Sequence, residues 1–500
     1  MKRRTVPVAT VVGIVALTAG IALSYTDFGT VRDALLVSKT KTLFGVTAPI
    51  AQSSTVSADP TEAAQDASLL VKVAPGLHVD VVTGDAAAGT GAGPNVDMIA
   101  LWPNDTSPTH LIFCNEEGPA QAGLQRLELS SGDVDTMLTG TNSCDPAHVT
   151  PWGTVVFGEE SGGGSGGGRL YELIDPVHTT NVLLDRSTGT LTDGPGGEGA
   201  THIVSRTALG ILSFEGVGVL PNGVVYYGDE QRPGTGTPGG AYFKFIPTTL
   251  RDPSSGPITD LGQSPLVSGS VYGMRLGKRS NNTDYGQGTE SGMGVWVAVT
   301  GVTPVGTPPA IDLRAFAAAQ KLTGYYRPED LSFDEAALSD GNVRFCGNNT
   351  GNESDDHLWG NTICVSDGTV SQASSTSPLS MPEAQLFVQG NAQFVMMDNV
   401  AYQPTRGNWL IHEDGSSSTT GRNNDLWDCL PDGSDDDTLS DGCIRVATIN
   451  DLAPAGGANP GDPAEWTGGV FDAAGKHFYV SVQHNMTGDG VILDITGWKY

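Results

Sequence analysis

A short run of β-prone residues that stops abruptly on carboxylates or amides recurs along this chain, and that recurrence limits what it can fold into. The fullest case is TPWGTVVFGEE, Thr150 to Glu160, where Thr154, Val155, Val156 and Phe157 lead into Glu159 and Glu160. The same shape returns in LIFCNEE (Leu111 to Glu117), ILSFEG (Ile211 to Gly216), VRFCGNN (Val343 to Asn349), NWLIHEDG (Asn408 to Gly415) and HFYVSVQHN (His477 to Asn485). Length and β-branched or aromatic content make each of them a strand. Their spacing is repeated but irregular, which predicts an all-β protein, a β-propeller with loop insertions of variable length. The 67 Gly and 30 Pro among 500 residues favour tight turns over long helices. The exception is IDLRAFAAAQKL, Ile311 to Leu322, which predicts one short inserted surface helix.

Lys2, Arg3 and Arg4 precede an uncharged apolar run from Val6 to Leu23, the pattern of an export signal or of an uncleaved inner-membrane anchor. Either one puts the rest of the chain outside the cytoplasm, in the periplasm, on the cell surface or free. Residues 1–25 are therefore read as signal or anchor, 26–67 as a partly disordered connector, and 68–500 as a monomeric β domain. Cys114 with Cys144, Cys346 with Cys364, and Cys429 with Cys443 stand as near neighbours, and none makes C-x-x-C. Zinc and thioredoxin-type chemistry are poor fits; local disulfides suit the exported setting, with free buried thiols as the alternative. A net charge of −30 and a pI of about 4.4 exclude nucleic acid as a partner and suit a surface that binds divalent cations.

Two motif matches carry no chemistry. Gly163 to Gly167 fits G-x-S-x-G but lies in a glycine run, not a strained strand-to-helix turn. Gly234, Gly236 and Gly239 fit G-x-G-x-x-G, yet a strand follows where a phosphate site needs a helix. No H-E-x-x-H occurs. The acidic loop Asp432 to Asp441 lacks Ca²⁺-loop spacing and reads as solvated. What remains is a set of carboxylates beside strand ends: Glu159, Glu160, Glu215, Asp229, Glu329, Asp398 and Glu465. Oxygen ligands delivered from several strands to one place would build a hard-cation site.

The string TPWGT…EE, then EG…YYGDE, GGAYFKF, RPED, DNVAY, GNWLIHED and EWTGGVF leading into FYVSVQH, resembles the PhoX-type alkaline phosphatase family from about Leu101 to Gly497. The resemblance implies an exported six-bladed propeller that hydrolyses phosphate monoesters at a central Ca²⁺ and ferric iron site. It makes Glu160 and Glu215 metal ligands with Glu159 beside them, Glu329 a Ca²⁺ or iron ligand, and Arg327 the phosphate-binding cation. Asp398, Asn399, Glu413 and Glu465 are further metal candidates, and Lys244 a second phosphate-stabilising cation. It also implies a Cys just before the Glu pair as an iron ligand, where this chain has Gly158. That departure counts against Fe³⁺ and favours Ca²⁺, Mn²⁺ or Mg²⁺. The functional expectation is a metal-dependent phosphoesterase acting on a small phosphorylated substrate. A non-catalytic, Ca²⁺-stabilised propeller that serves as a binding module is the alternative, and a propeller hydrolase for another ester or lactone a third.

Overall fold

The computed structural model describes residues 33–83, 91–233, 238–277, 291–351, 359–415, 420–433, 437–452 and 464–499. Within them, six hairpins repeat along the chain. They are β1 (Val96–Trp102) and β2 (His110–Asn115), β3 (Cys144–Val149) and β4 (Val155–Glu159), β5 (Phe214–Val219) and β6 (Val225–Asp229), β7 (Pro328–Phe333) and β8 (Asn342–Asn349), β9 (Met397–Tyr402) and β10 (Trp409–Glu413), and β11 (Glu465–Phe471) and β12 (Phe478–Gln483). The first strands of these hairpins stand side by side in a closed ring, each touching the next and β11 returning to β1. Each hairpin is extended outward by at least two further strands. The fold is all-β and propeller-like.

The strands form five hydrogen-bonded sheets. The largest joins two hairpin sets, because the strand Gly292–Ala298 pairs with Glu383–Gln389. Its end strands β5 and β7 touch, so this sheet nearly closes on itself. Six apolar clusters lie one in each gap between neighbouring sets; Trp152, Phe214 and Phe243 fill one, and Tyr226, Trp296 and Phe345 the next. Burying such side chains contributes roughly 1.5–3 kcal/mol each. Packing on both faces is why β4, β6 and β10 are buried at every residue, without a polar face.

The N-terminal part completes the last two strand sets. Val71–Val73 pairs with Cys443–Ile449, and His78–Val81 with Ile492–Thr496, so early residues form the outer strands of the last two sets. Much of the stretch read as a connector is packed here. A helix spans Asp33–Leu43, and Phe44, Val46 and Ile50 are buried in the cluster with Trp466 and Trp498. The apolar run Val6 to Leu23 lies outside the described residues; among those described, no helix is long and apolar enough to cross a membrane.

The anticipated helix forms over Leu313–Gln320, with Asp312 as its cap, but Leu313, Phe316 and Ala317 dock it into the core. Short helices also span Pro60–Ala63, Glu335–Ser339 and Val370–Ala373, so it is not the only insertion. The three disulfides form in the near-neighbour pairing. The glycine run after Glu160 is tied down: Gly162 N–H donates to Ser213, and Gly164 N–H to Asp312.

Candidate metal centre

Every one of the six hairpins carries a bulge. The regular pairing skips from Val96 to Ile99, Cys144 to Ala147, Phe214 to Val217, Pro328 to Leu331, Met397 to Val400 and Thr467 to Val470. The first residue in each gap is Asp97, Asp145, Glu215, Glu329, Asp398 and Gly468. A bulge takes a residue out of the ladder and re-aims it. Five of the six therefore send a carboxylate into the middle of the ring. These five are at most 9% exposed. Burial is the main cause that raises the pKa of each, and neighbouring carboxylates add to it; Glu329 is pushed up to about 8. Gly468 breaks the pattern for a steric reason. Its φ is +67°, and a Cβ there would fall 2.2 Å from the Asp97 carbonyl oxygen. Glu465, at the start of β11, supplies that sector, its pKa raised by burial and then by Asp414 and Asp398.

A second tier comes from the ends of β2, β4, β6, β8, β10 and β12. Each ends on a polar pair: Asn115-Glu116, Glu159-Glu160, Asp229-Glu230, Asn349-Thr350, Glu413-Asp414 and Gln483-His484. Successive side chains of a strand point to opposite sides, so the two members of a pair part company. The second members face the centre. Glu160 feels the charge of Glu116, Glu230 and Glu329, Thr350 donates to Glu329 at 2.6 Å, and His484 Nε2 lies 3.2 Å from Glu465.

The first members turn into their own sheets, which corrects three expected ligands. Glu159 is held by Arg186 at 2.6 Å and by the Asn142 N–H. Asp229 is gripped by Arg314 at 2.6 Å. Glu413 is gripped by Arg422 at 2.6 Å and accepts from Trp427 Nε1. Each is already neutralised by its own arginine; Glu230 and Asp414, one residue further on, are the central groups. Asn399 is also no ligand in this arrangement. Its amide oxygen accepts from the Gly468 N–H at 2.9 Å, and its amide nitrogen meets Met98 Sδ. The TPWGT stretch serves the scaffold: Trp152 Nε1 and Thr154 Oγ1 both donate to buried Glu172, which Arg206 neutralises.

Lys244 stands on a third strand, Phe243–Pro247, away from the centre. It is fully buried, paired with Asp367 at 2.7 Å, and lies over the Trp296 ring. Asp367 also accepts from Tyr226 and Trp296, so the lysine ties two strand sets together. Lys244→Met is expected to cost about 3–5 kcal/mol of stability, because it leaves a buried carboxylate unpaired. Activity per folded molecule should not change; urea melts alongside rate measurements on the folded fraction check this.

Arg327 is the central cation. Its Nε lies 2.6 Å from Glu230, Nη2 3.1 Å from Glu329 and Nη1 3.6 Å from Asp414. Its φ of 56° is a left-handed conformation, shared with seven other non-glycine residues among those described. Asp330, the last residue of RPED, acts differently: it accepts the Leu331 and Val400 N–H groups and ties β7 to β9.

The tightest cluster was not anticipated. One oxygen each from Asp97, Glu116 and Asp145 lie within 4.8 Å of one another. Asp97 Oδ1 and both Asp145 oxygens are buried without a hydrogen-bond partner. An uncompensated buried carboxylate costs several kcal/mol, so such a set has to be neutralised, by protons or by a bound cation. The donors are all oxygens apart from His484, and all six Cys are in disulfides, so the residues fit Ca²⁺ or another hard cation and offer no thiolate. The repeating polar pair at the strand ends was the sequence signal for Glu116, Glu230, Asp414 and His484; Asp97 and Asp145 had none that stood out.

Residues 104–485 match the family of the alkaline phosphatase PhoX. The chain belongs to the PhoX alkaline phosphatase family. Among solved structures it resembles Pseudomonas fluorescens PhoX, determined in complex with vanadate, a transition-state analogue. The identity is 16% and the TM-score 0.56, over 90% of this chain and 99% of that one. That likeness shows the fold. The PQQ domain of Coprinopsis cinerea pyranose dehydrogenase (14% identity, TM-score 0.30, 85% and 97% covered) is a weaker likeness and carries no argument. The same holds for the soluble aldose sugar dehydrogenase of Escherichia coli (8%, 0.34, 84% and 99%). Among curated proteins, none matches the chain in sequence. PhoX membership makes this chain a phosphatase of a metal-dependent family, and the acidic cluster is where a metal would be held.

Proposed function

We propose that this protein is an exported phosphomonoesterase whose centre lies on the axis of a six-bladed β-propeller and works with Ca²⁺. The observation that carries this reading is Arg327, held among Glu230, Glu329 and Asp414 at the edge of a carboxylate cluster that fits hard cations. The closed ring of six inner strands and the six apolar clusters between them support the six blades. Three disulfides support export to an oxidising compartment.

Asp97, Glu116, Asp145, Glu160, Glu215, Glu329, Asp398 and Glu465 would hold the cations, which when bound neutralise phosphoryl oxygens and acidify water. The two tiers have separate tasks. The inner carboxylates are sealed from solvent and fix the cation positions, whereas Glu116, Glu160, Glu230 and Asp414 are partly exposed and mark the open side where a substrate enters. Arg327 presents its guanidinium to the phosphoryl group and stabilises the charge that builds in the transition state. His484 Nε2 lies 3.2 Å from Glu465 at the rim.

Gly158 favours a second reading, a Ca²⁺-stabilised propeller without turnover, and one pair of variants separates the two. Glu160→Gln should weaken metal binding by more than about tenfold and abolish hydrolysis of p-nitrophenyl phosphate. Glu159→Gln should leave both near wild type and cost stability instead, because Arg186 loses its partner. Wild-type metal content and turnover in Glu160→Gln would remove the site assignment. A wild-type protein that binds Ca²⁺ but hydrolyses no phosphate monoester would leave the second reading standing.

A further inference from the structure

The acidic centre uses only one end of the six inner strands. Past the bulges the same strands enclose a second space, a cavity of about 580 Å³, to which Ala100, Val149, Val217, Leu331, Val400 and Val470 each contribute from a different strand. That size is within the range of small-molecule sites, roughly 300–1,000 Å³. Asp330 lies between the two spaces. It lines the cavity, its carboxylate accepts from the Leu331 and Val400 N–H groups, and its charge reaches Asp97 and Asp145.

The lining points to one kind of occupant. No Lys or Arg belongs to it, and its histidine, His148, is held neutral by burial, which lowers its pKa to about 4. The walls are aliphatic for most of their depth. At the end away from the acidic centre, Phe333, Tyr402 and Phe471, the last residues of β7, β9 and β11, add three rings. Two exposed carboxylates, Asp105 and Glu335, complete that end. They feel each other: partial desolvation first, and then the charges of Asp105 and Asp334, raise the pKa of Glu335. Asp334 is paired with Arg344 at 2.8 Å, whereas among the described residues no Lys or Arg pairs with Asp105 or Glu335. Uncompensated carboxylates beside aromatic rings attract a cation through its charge and through the ring faces, and they repel anions such as phosphate esters.

We propose that this cavity binds a hydrophobic organic cation, an alkylammonium or arylammonium, with its apolar body between the six strands and its nitrogen at Asp105 and Glu335. The site is separate from the phosphatase centre, so its test is binding and not turnover. Full-length protein in the presence of Ca²⁺ would be titrated by calorimetry with hexyltrimethylammonium, hexanol and hexanesulfonate, which share an apolar chain and differ in charge. One equivalent of hexyltrimethylammonium should bind about tenfold more tightly than hexanol, and added salt should shrink that preference. Hexanesulfonate should bind more weakly than hexanol. Combining Asp105→Asn with Glu335→Gln should bring the cation down to the level of hexanol and leave hexanol unchanged. Both side chains are exposed, so this variant should melt like wild type. Val149→Trp should fill the cavity and weaken all binding about tenfold or more; if it does not fold, the carboxylate variant decides alone. No saturable binding to wild type, equal affinity for hexyltrimethylammonium and hexanesulfonate, or undiminished cation binding in the carboxylate variant would overturn the proposal.

Discussion

Arg327→Met should lower kcat/KM for a phosphate monoester by a factor on the order of 10²–10³, the usual loss when one preorganised donor to developing charge is removed. Such a loss calls for a residue whose position is determined by several neighbours, and Arg327 is one. Glu230, Glu329 and Asp414 fix its guanidinium from three strand sets, and Thr350 fixes Glu329 in turn. Most of the loss should fall in kcat, because the charge it answers grows in the transition state. Arg327→Lys should recover only part of it, since an ammonium cannot reproduce the planar fork. The variant should also melt lower than wild type in chelator, where three carboxylates are left facing one another, and much closer to wild type in Ca²⁺. Steady-state rates for both variants with paired melts test this. An unchanged kcat/KM would remove Arg327 from the reaction.

The second large effect is a dependence of stability on pH that appears only when cations are withdrawn. Burial first, and then carboxylate neighbours, raise the pKa of Asp97, Asp145, Glu215, Asp398 and Glu465; Glu329 is raised from 4.5 to about 8. The folded chain therefore holds protons that the unfolded chain gives up. Stability must fall as pH rises, from near the unfolded value of about 4.5 for Glu329 up through about 8, and is fully present only below that window. Bound Ca²⁺ reverses the argument by favouring the ionised carboxylates. Melts in chelator between pH 5 and 9 should show a falling midpoint, with a much flatter line in Ca²⁺ and the greatest difference between the two at the alkaline end. A chelated protein whose midpoint is level or rises with pH would contradict a buried, charge-crowded centre.

The two tiers of the centre were legible to different degrees. Five of the six runs read as strands that stop on Asn, Gln, Asp or Glu do end at one place; the sixth, ILSFEG, is where β5 begins, and the polar end of its hairpin is Asp229-Glu230. The RPED stretch brings Arg327 and Glu329 together at the centre. The errors have one form. At Asp229-Glu230 and Glu413-Asp414 the reading took the member that faces the sheet, and at Asn115-Glu116 it took neither. Lys244 failed for a related reason: a lysine in a strand of apolar residues looks like a delivered cation until Asp367 and Trp296 are seen to enclose it.

Chain composition and local pattern alone determined the β-rich character, the near-neighbour order of the cysteines, the acidity that suits cations, and the recurrence of strands that stop on polar residues. They could not determine which member of a pair faces the centre. Alternation along a strand is a local property, but its phase is set by the register against the partner strand, and each of these registers is displaced by a bulge. Asp97 and Asp145 face the metal centre because the bulges at 97–98 and 145–146 lift them out of the ladder. Glu159, Asp229 and Glu413 are withdrawn because arginines from distant or neighbouring segments, Arg186, Arg314 and Arg422, wait on the other side of the strand. Those are tertiary facts, and they decide which carboxylates face the centre and which serve the scaffold.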